Sequence, residues 1–136
     1  MPDHRPRFAL FETAFDEAAI VMALISLEGD WLAVNAALSR LLGYTAQQLG
    51  ATNWRAITHP DDVAPELQHI RTLLTSQAPA YSMCKRCVRK DGAVVYLQVS
   101  VTLVRNEQGA PDFFIVQLQD LPRELEGEAT MRQQEK

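Results

Sequence analysis

Apolar and polar residues alternate along the second half of the chain, a pattern typical of strands with one buried face. Successive side chains of a strand point to opposite faces, so apolar residues two apart share one face. The pattern predicts strands at 81–89, 93–105 and 113–121, separated by turns at Asp91-Gly92 and around Gly109. The longest of them carries its apolar face at Val95, Leu97, Val99, Val101 and Leu103. Three strands joined by short turns form an antiparallel meander.

A second pair of apolar runs lies near the start of the chain. Residues 21–27 and 31–35 read as strands on either side of Glu28-Gly29-Asp30, which predicts a hairpin. This hairpin completes the same sheet, because its apolar face must be buried. The predicted fold class is α+β: a five-stranded antiparallel sheet with helices packed on one face, in the order β-β-α-α-α-α-β-β-β.

Helix signals fill the segment between the hairpin and the meander. Asn35 is placed to cap a helix at 36–42 that Gly43 ends, and Thr45 caps a shorter one. A further short helical turn leads past Trp54 and Ile57.

A longer helix is predicted to follow, from about residue 59 to 76. Asp61 and Asp62 lie near its start, where the helix dipole favours negative charge. Its apolar residues recur at helical spacing and predict an inward stripe of Val63, Leu67, Ile70 and Leu74.

Both ends of the chain read as helical. Residues 1–19 predict an amphipathic helix with Phe8, Phe11 and Phe15 on one face. This face either packs onto the domain's own sheet or pairs with a second copy of the chain. Residues 20–121 form the predicted domain body, and the charged segment 122–136 is expected to be an exposed exit linker helix.

Composition and charge narrow the class of protein. The 136 residues are 47% hydrophobic and 22% charged, which is ordinary for one globular domain. The net charge of −4 gives no basic face for nucleic acid, and no apolar run is long enough for a membrane helix. Two cysteines do not form a disulfide framework, so a cytoplasmic setting is expected.

Several short strings occur in a familiar order and spacing. Together they resemble the PAS (sensory-box) family over about residues 8–122. The strings are Glu28-Gly29-Asp30-Trp31, Val34-Asn35, Leu41-Leu42-Gly43-Tyr44-Thr45, Leu49-Gly50, His59-Pro60-Asp61-Asp62, Arg89-Lys90-Asp91-Gly92, Gly109 and Asp120.

The resemblance implies a cupped sheet whose helices enclose a cavity, and a domain that relays a signal without being an enzyme. Such domains usually form homodimers and are attached to an output module, commonly a histidine kinase or a cyclic-di-GMP synthase or hydrolase. The string at 56–62 is most similar to domains of cyclic-di-GMP signalling proteins. The chain is therefore expected to be part of a longer bacterial protein, which could be anchored in a membrane elsewhere.

The exit from the domain departs from the family pattern. Members commonly end in Asp-Ile-Thr, whose Asp and Thr join the domain to its output helix. This chain has Asp120, Leu121 and Pro122 there, so the threonine contact is missing. Proline is tolerated in the first turn of a helix, so the helix start itself can survive.

The sequence contains few residues that could hold a flavin, a haem or a metal ion. Blue-light members carry a reactive cysteine in the region that here reads 52–57 and contains none, which excludes a flavin–cysteine adduct. A haem ligand on the long helix would be His69, but it lies at the edge of the inward stripe. Cys84 and Cys87 are three apart on a strand and point to opposite faces, so they predict no metal site.

The leading hypothesis is a sensor that binds a small ligand inside the cavity. The expected ligand pocket is lined by Leu42, Trp54, Ile57, Leu67, Ile70, Val99 and Val101. The alternatives are a dimerisation module without a ligand, for which Phe8, Phe11 and Phe15 are the interface candidates, and a haem or flavin redox sensor. The sensor hypothesis requires space in the interior and fails if side chains fill it.

Overall fold

A single antiparallel sheet carries the fold, as the alternating pattern predicts. The computed structural model describes residues 7–121, so the expected exit helix at 122–136, Pro122 within it, and residues 1–6 lie outside the described residues. The elements in chain order are α1 (Arg7–Glu17), β1 (Val21–Ser26), β2 (Trp31–Val34), α2 (Ala36–Leu42), α3 (Ala46–Gly50), a 3₁₀ helix (Trp54–Ile57), α4 (Pro60–Thr75), β3 (Ala80–Val88), β4 (Val94–Arg105) and β5 (Pro111–Asp120).

The sheet has the strand order β2-β1-β5-β4-β3, so the first hairpin joins the meander through β1 and β5. Ala23 lies opposite Val116, which in turn lies opposite Val101 and then Tyr81. Every second residue of these strands therefore points to one face, and that face carries the core. The predicted fold class and element order are confirmed.

Asn35 fixes the junction between the hairpin and α2. Its side chain is fully buried, and its Oδ1 accepts hydrogen bonds from the backbone N–H groups of Leu38 and Met22, each at 3.1 Å. Its Nδ2 donates to the carbonyl oxygen of Ile20 at 2.7 Å. One amide thus caps the helix, as the sequence predicts, and also ties the helix start to β1.

The turn at Gly29 positions Trp54. Gly29 has a φ of +99°, and a Cβ there would lie 2.7 Å from the side chain of Asn53 and 2.9 Å from Trp54 Nε1. The carbonyl oxygen of Gly29 accepts the backbone N–H of Trp54 at 3.1 Å. A side chain at this position would therefore both strain the turn and push the 3₁₀ helix outward.

Helix α1 lies beside α2, and none of its residues is buried. Phe15 is half-buried, whereas Phe8 is 73% exposed and Phe11 is 67% exposed. The interpretation that the phenylalanine face packs onto the domain's own sheet is therefore wrong for Phe8 and Phe11. No helix within residues 7–121 combines the length and apolar character that crossing a bilayer requires.

The inward face of α4 contains the predicted stripe and, beside it, two residues that are buried more deeply. Val63, Leu67, Ile70 and Leu74 are only half-buried against the core, whereas Glu66 and Leu73 are fully buried. Periodicity assigns a glutamate to the solvent side, and here a buried partner on β3 reverses that assignment.

The two side-chain helix caps at Asn35 and Thr45 should differ sharply in their effect on stability. Asn35→Ala removes three hydrogen bonds and leaves buried backbone groups without partners, so we expect the free energy of unfolding to fall by about 3 kcal/mol. Thr45→Ala removes an exposed, local capping box and should cost about 1 kcal/mol. Urea unfolding of both variants measures the difference, and equal losses would contradict the tying role of Asn35.

Candidate functional site

A small cavity lies between the inner face of the sheet and the helices. It measures about 30 Å³, roughly the space of one or two water molecules. Its walls are mostly apolar, with three polar side chains among them. The polar residues are Glu66, Tyr81 and Lys85, and the others are Ile25, Trp31, Leu42, Trp54, Ile57, Ile70, Cys87, Val99, Val101, Phe114, Val116 and Leu118.

The structure brings six of the seven pocket candidates from the sequence around this cavity. They are Leu42, Trp54, Ile57, Ile70, Val99 and Val101. Leu67 is not among the lining residues and is half-buried at the side of α4, because Glu66 takes the inward position. Whether these residues bind a ligand stays a prediction.

A buried ion pair crosses the interior from α4 to β3. Lys85 Nζ lies 2.6 Å from Glu66 Oε1, and both side chains are at least nine-tenths buried. Lys85 also donates to Thr58 Oγ1 at 3.2 Å and lies 5.0 Å from the centre of the Trp54 ring. The ammonium group therefore has a carboxylate, a hydroxyl and a ring face around it, which offsets part of its desolvation.

Tyr81 completes the polar cluster and also faces the surface. Its hydroxyl donates to Glu66 Oε2 at 2.6 Å, while its ring stacks on exposed His69 with centroids 5.0 Å apart. Burial, and after it the nearby Glu66 carboxylate, raises the pKa of the Tyr81 phenol far above its usual value. The phenol therefore stays protonated and remains a hydrogen-bond donor to the carboxylate.

Trp31 contributes a donor without an acceptor. Its side chain lines the cavity, and its buried Nε1 has no hydrogen-bond partner among the described residues. A buried N–H without an acceptor costs about 1–3 kcal/mol. Trp31, a residue of the wall, therefore has one buried N–H group that the described residues leave without an acceptor.

Asp62 has a structural role that its neighbour Asp61 lacks. Its carboxylate accepts the backbone N–H of Arg86 at 2.7 Å and pairs with the Arg86 guanidinium at 2.8 and 3.0 Å. Burial alone would raise the pKa of Asp62, but the hydrogen bonds and charge of Arg86 outweigh it and hold the pKa below the usual value. Asp62 thus fastens the start of α4 to β3, while Asp61 is exposed at the helix start.

The two cysteines occupy opposite faces of β3. Cys87 is buried on the cavity wall and Cys84 is half-buried on the other face. Burial raises the pKa of the Cys87 thiol, so it stays uncharged at neutral pH. No group of three or more His, Cys, Asp or Glu side chains within residues 7–121 is placed to hold a metal ion.

The haem-ligand candidate lies away from the cavity. His69, the proposed haem ligand, is exposed and lies in a surface groove, not on the cavity wall. A cavity of about 30 Å³ is also far smaller than the pockets that hold molecules of drug size. Whether the domain binds haem or flavin stays a hypothesis.

The exit of the domain begins at the end of β5. Asp120 is the last residue of β5 and lies opposite Leu97 of β4. The backbone N–H of Leu121 donates to the carbonyl oxygen of Tyr96 at 3.0 Å, which holds the chain against the sheet after β5 ends. Pro122, the third exit candidate, lies outside the described residues.

Sequence reasoning missed the polar half of this cavity. Lys85 and Tyr81 share a strand face with Met83 and Cys87, so strict alternation could have placed them inward. Glu66 lies one position before Leu67, and only its pairing with Lys85, 19 residues away, explains its burial. The site therefore depends on a long-range contact that no local pattern contains.

The fold and cavity define a class of protein, that of small α+β domains in which one antiparallel sheet and a layer of helices enclose an interior site. The PAS fold matches residues 32–117, and the chain belongs to the PAS family. It is a PAS sensory domain of the kind found in bacterial signalling proteins.

The chain is similar to segments of two bacterial signalling proteins. One is the probable diguanylate cyclase DgcE of Escherichia coli, with 38% identity over 111 residues, covering 82% of this chain and 10% of that protein. The other is the sensor histidine kinase TmoS of Ectopseudomonas mendocina, with 23% identity over 125 residues, covering 92% of this chain and 13% of that protein. The chain thus spans about a tenth of the length of these relatives.

Solved structures support the fold. The PAS domain of a protein from Colwellia psychrerythraea aligns with a TM-score of 0.77 at 16% identity, covering 85% of this chain and 98% of that one. At this identity the likeness shows the shared fold.

The ion pair should show strong coupling between Glu66 and Lys85. Glu66→Gln and Lys85→Met each leave one buried charge unpaired, so we expect each to lower the free energy of unfolding by about 3–5 kcal/mol. The double variant removes both charges and keeps an acceptor for the Tyr81 hydroxyl. It should regain most of that loss, and a double-mutant cycle from urea unfolding measures the coupling.

A surface pair provides the control. Arg89 and Asp91 lie 3.8 Å apart with partly exposed side chains, and Asp91→Asn should change stability by no more than about 0.5 kcal/mol. Additive losses for Glu66 and Lys85 would show that the buried pair is not a unit.

Proposed function

We propose that this chain is the sensory input domain of a longer bacterial signalling protein, and that a small ligand in the internal cavity provides the signal. The catalytic step of that protein is carried out by an attached output module and not by this domain. The similarity to a probable diguanylate cyclase and to a sensor histidine kinase supports an output of one of these kinds. The ligand shifts the domain between two states according to its different affinity for each.

The observation that carries this proposal is the buried, unsatisfied indole N–H of Trp31, a residue whose side chain lines a mostly apolar cavity. Interior polar groups normally have partners, and an exception calls for a physical explanation. A ligand with a hydrogen-bond acceptor would satisfy this donor and remove its desolvation cost. The ligand needs no charge of its own, because Lys85 and Glu66 already neutralise each other.

The sheet provides a route from the cavity to the exit. Three residues of β5 line the cavity, at Phe114, Val116 and Leu118, and the same strand ends at Asp120. A ligand that displaces these side chains would shift the strand on which the output linker begins. Signal relay through β5 therefore needs no contact between the ligand and the linker.

A cytoplasmic location is retained as part of the proposal. Cys84 and Cys87 are free and lie on opposite faces of one strand, so they do not bond to each other within the domain.

A titration can test whether the cavity takes a ligand. The ¹⁵N-labelled domain is titrated with the small-molecule fraction of the producing cells, and the indole N–H signals of its two tryptophans are followed. We expect a saturable downfield shift of the Trp31 signal, because hydrogen bonding deshields the proton. Trp31→Phe assigns the signal.

Matched variants show whether the shift arises in the cavity. Val99→Ile adds a methyl group to the cavity wall and should abolish the shift, whereas Val94→Ile at an exposed position of the same strand should preserve it. A Trp31 signal that stays in place throughout would refute the sensor proposal.

A second candidate function, dimerisation without a ligand, is favoured by the exposure of α1. Phe8 and Phe11 present large apolar side chains to solvent, one helical turn apart. Phenylalanine is rarely left exposed without a binding role when such residues cluster. Pairing of α1 with a second copy of the chain would bury both.

The oligomeric state tests this candidate. We expect the parent chain to be a dimer at high micromolar concentration, and Phe8→Glu with Phe11→Glu to make it a monomer, because charged groups resist burial. Leu32→Glu, at another exposed apolar position, should leave the dimer intact. Analytical ultracentrifugation of the three proteins measures the result, and a monomeric parent chain would exclude the candidate.

A further inference from the structure

The Tyr81 side chain lies between two separate spaces and lines both of them. It lines the internal cavity, and it also lines a surface groove of about 310 Å³. The other sides of the groove come from α4 and from the segment leading into β3, at Gln68, His69, Thr72, Leu73, Ala78 and Ala80. The Tyr81 side chain therefore lies between the core of the domain and a groove on its surface.

Two contacts hold Tyr81 in this position. Its hydroxyl donates to Glu66 Oε2 at 2.6 Å, and its ring stacks on His69 at 5.0 Å with the two planes 16° apart. His69 is exposed, so one of the two contacts lies at the surface. The groove has about 310 Å³ against about 30 Å³ in the cavity, so there is more space for the ring on the outer side than on the inner side.

We propose that Tyr81 turns outward into this groove when a ligand enters, and that the ligand is a small uncharged molecule whose hydroxyl group replaces the Tyr81 phenol on Glu66 Oε2. This proposal rests on the proposed function, since it specifies how the same cavity takes its ligand. Outward rotation adds the volume of the phenol ring to the cavity. The apolar body of the ligand is therefore about the size of a six-membered ring.

The chemistry of Glu66 selects the hydroxyl group. When Tyr81 leaves, Glu66 Oε2 is a buried carboxylate oxygen without a donor, which is costly. A hydroxyl restores the donated hydrogen bond, whereas a ketone or an ether only accepts. A charged ligand gains little, because Lys85 already compensates Glu66 at 2.6 Å and a further ion would be buried without a partner.

A matched pair of probes tests the ligand class. Cyclohexanol and cyclohexanone have nearly the same shape, but only the alcohol donates a hydrogen bond. We expect the purified chain to bind cyclohexanol at least about tenfold more tightly, which corresponds to one hydrogen bond to a charged group. Equal affinities, measured by NMR titration, would overturn the proposed class.

The same titration reports on the movement of Tyr81. The ring protons of His69 lie beside the Tyr81 ring and feel its ring current, so they should shift when cyclohexanol binds, while those of His59 should not. Binding of cyclohexanol with unchanged His69 signals would overturn the outward rotation.

Substitution of Tyr81 distinguishes this role from that of an ordinary lining residue. Tyr81→Phe has no hydrogen bond to Glu66 to break, so it should raise the affinity for cyclohexanol by about tenfold. If the phenol instead held the ligand, the same variant would lower the affinity and the proposal would be wrong.

His69→Ala removes the ring stack at an exposed position, where the substitution does not endanger folding. It should raise the affinity for cyclohexanol a few-fold, and no gain there would also count against the rotation.

The outcomes separate this inference from the function on which it rests. If cyclohexanol does not bind but the small-molecule fraction of the cells still shifts the Trp31 indole signal, the hydroxyl class is wrong and the sensor proposal stands. If that fraction leaves the Trp31 signal in place, the sensor proposal fails, and the Tyr81 inference fails with it.

Discussion

The ion pair between Glu66 and Lys85 is the contact on which the interior of this domain depends. It joins the middle of α4 to the middle of β3, and both partners are removed from solvent. Three further groups contact the buried charges: Thr58 and the Trp54 ring at the ammonium, and Tyr81 at the second carboxylate oxygen. Buried pairs of this kind add little net stability, whereas removing one partner alone is costly because it leaves the other charge buried and unpaired.

In the proposed sensor, the pair also limits which ligands the cavity would recognise. An apolar pocket with one uncompensated charge would select ions, whereas this pocket contains charges that already satisfy each other. What remains open to a ligand is a donor at Trp31 and, once Tyr81 moves, an acceptor at Glu66. Both favour neutral molecules with one or two polar groups. The small size of the cavity in this state follows from the same arrangement, since the Tyr81 ring occupies the space beside Glu66.

Patterns of a few consecutive residues predict the strands and the helix cap, but they do not predict the polar residues of the cavity. The alternation of Val95, Leu97 and Val99 fixed the buried face of β4, and Asn35 could be assigned as a cap from its position before α2. Both are properties of a few consecutive residues. Glu66 is different, because its burial depends on a lysine 19 residues away that only the folded sheet brings near. The predicted stripe of α4 does pack against the core, but the deeper burial of Glu66 beside Leu67 could not be read from it. The volume of the cavity is likewise a property of how the side chains pack together, which no periodicity encodes.

Ligand sensing and pairing through α1 are compatible, because they use different residues of the domain. The cavity lies on the inner face, where the core residues of β4 and β5 point. Helix α1 lies beside α2, with Phe8 and Phe11 directed to solvent and away from the core. A ligand that shifts β5 would also shift its outer-face residues and β1, which pairs with β5 from Val21 to Ser26 and follows α1 directly. Strand pairing thus connects the cavity to both ends of the domain. In a dimer formed through α1, a ligand that changed the cavity would therefore alter the geometry between the two copies as well as the start of each exit segment.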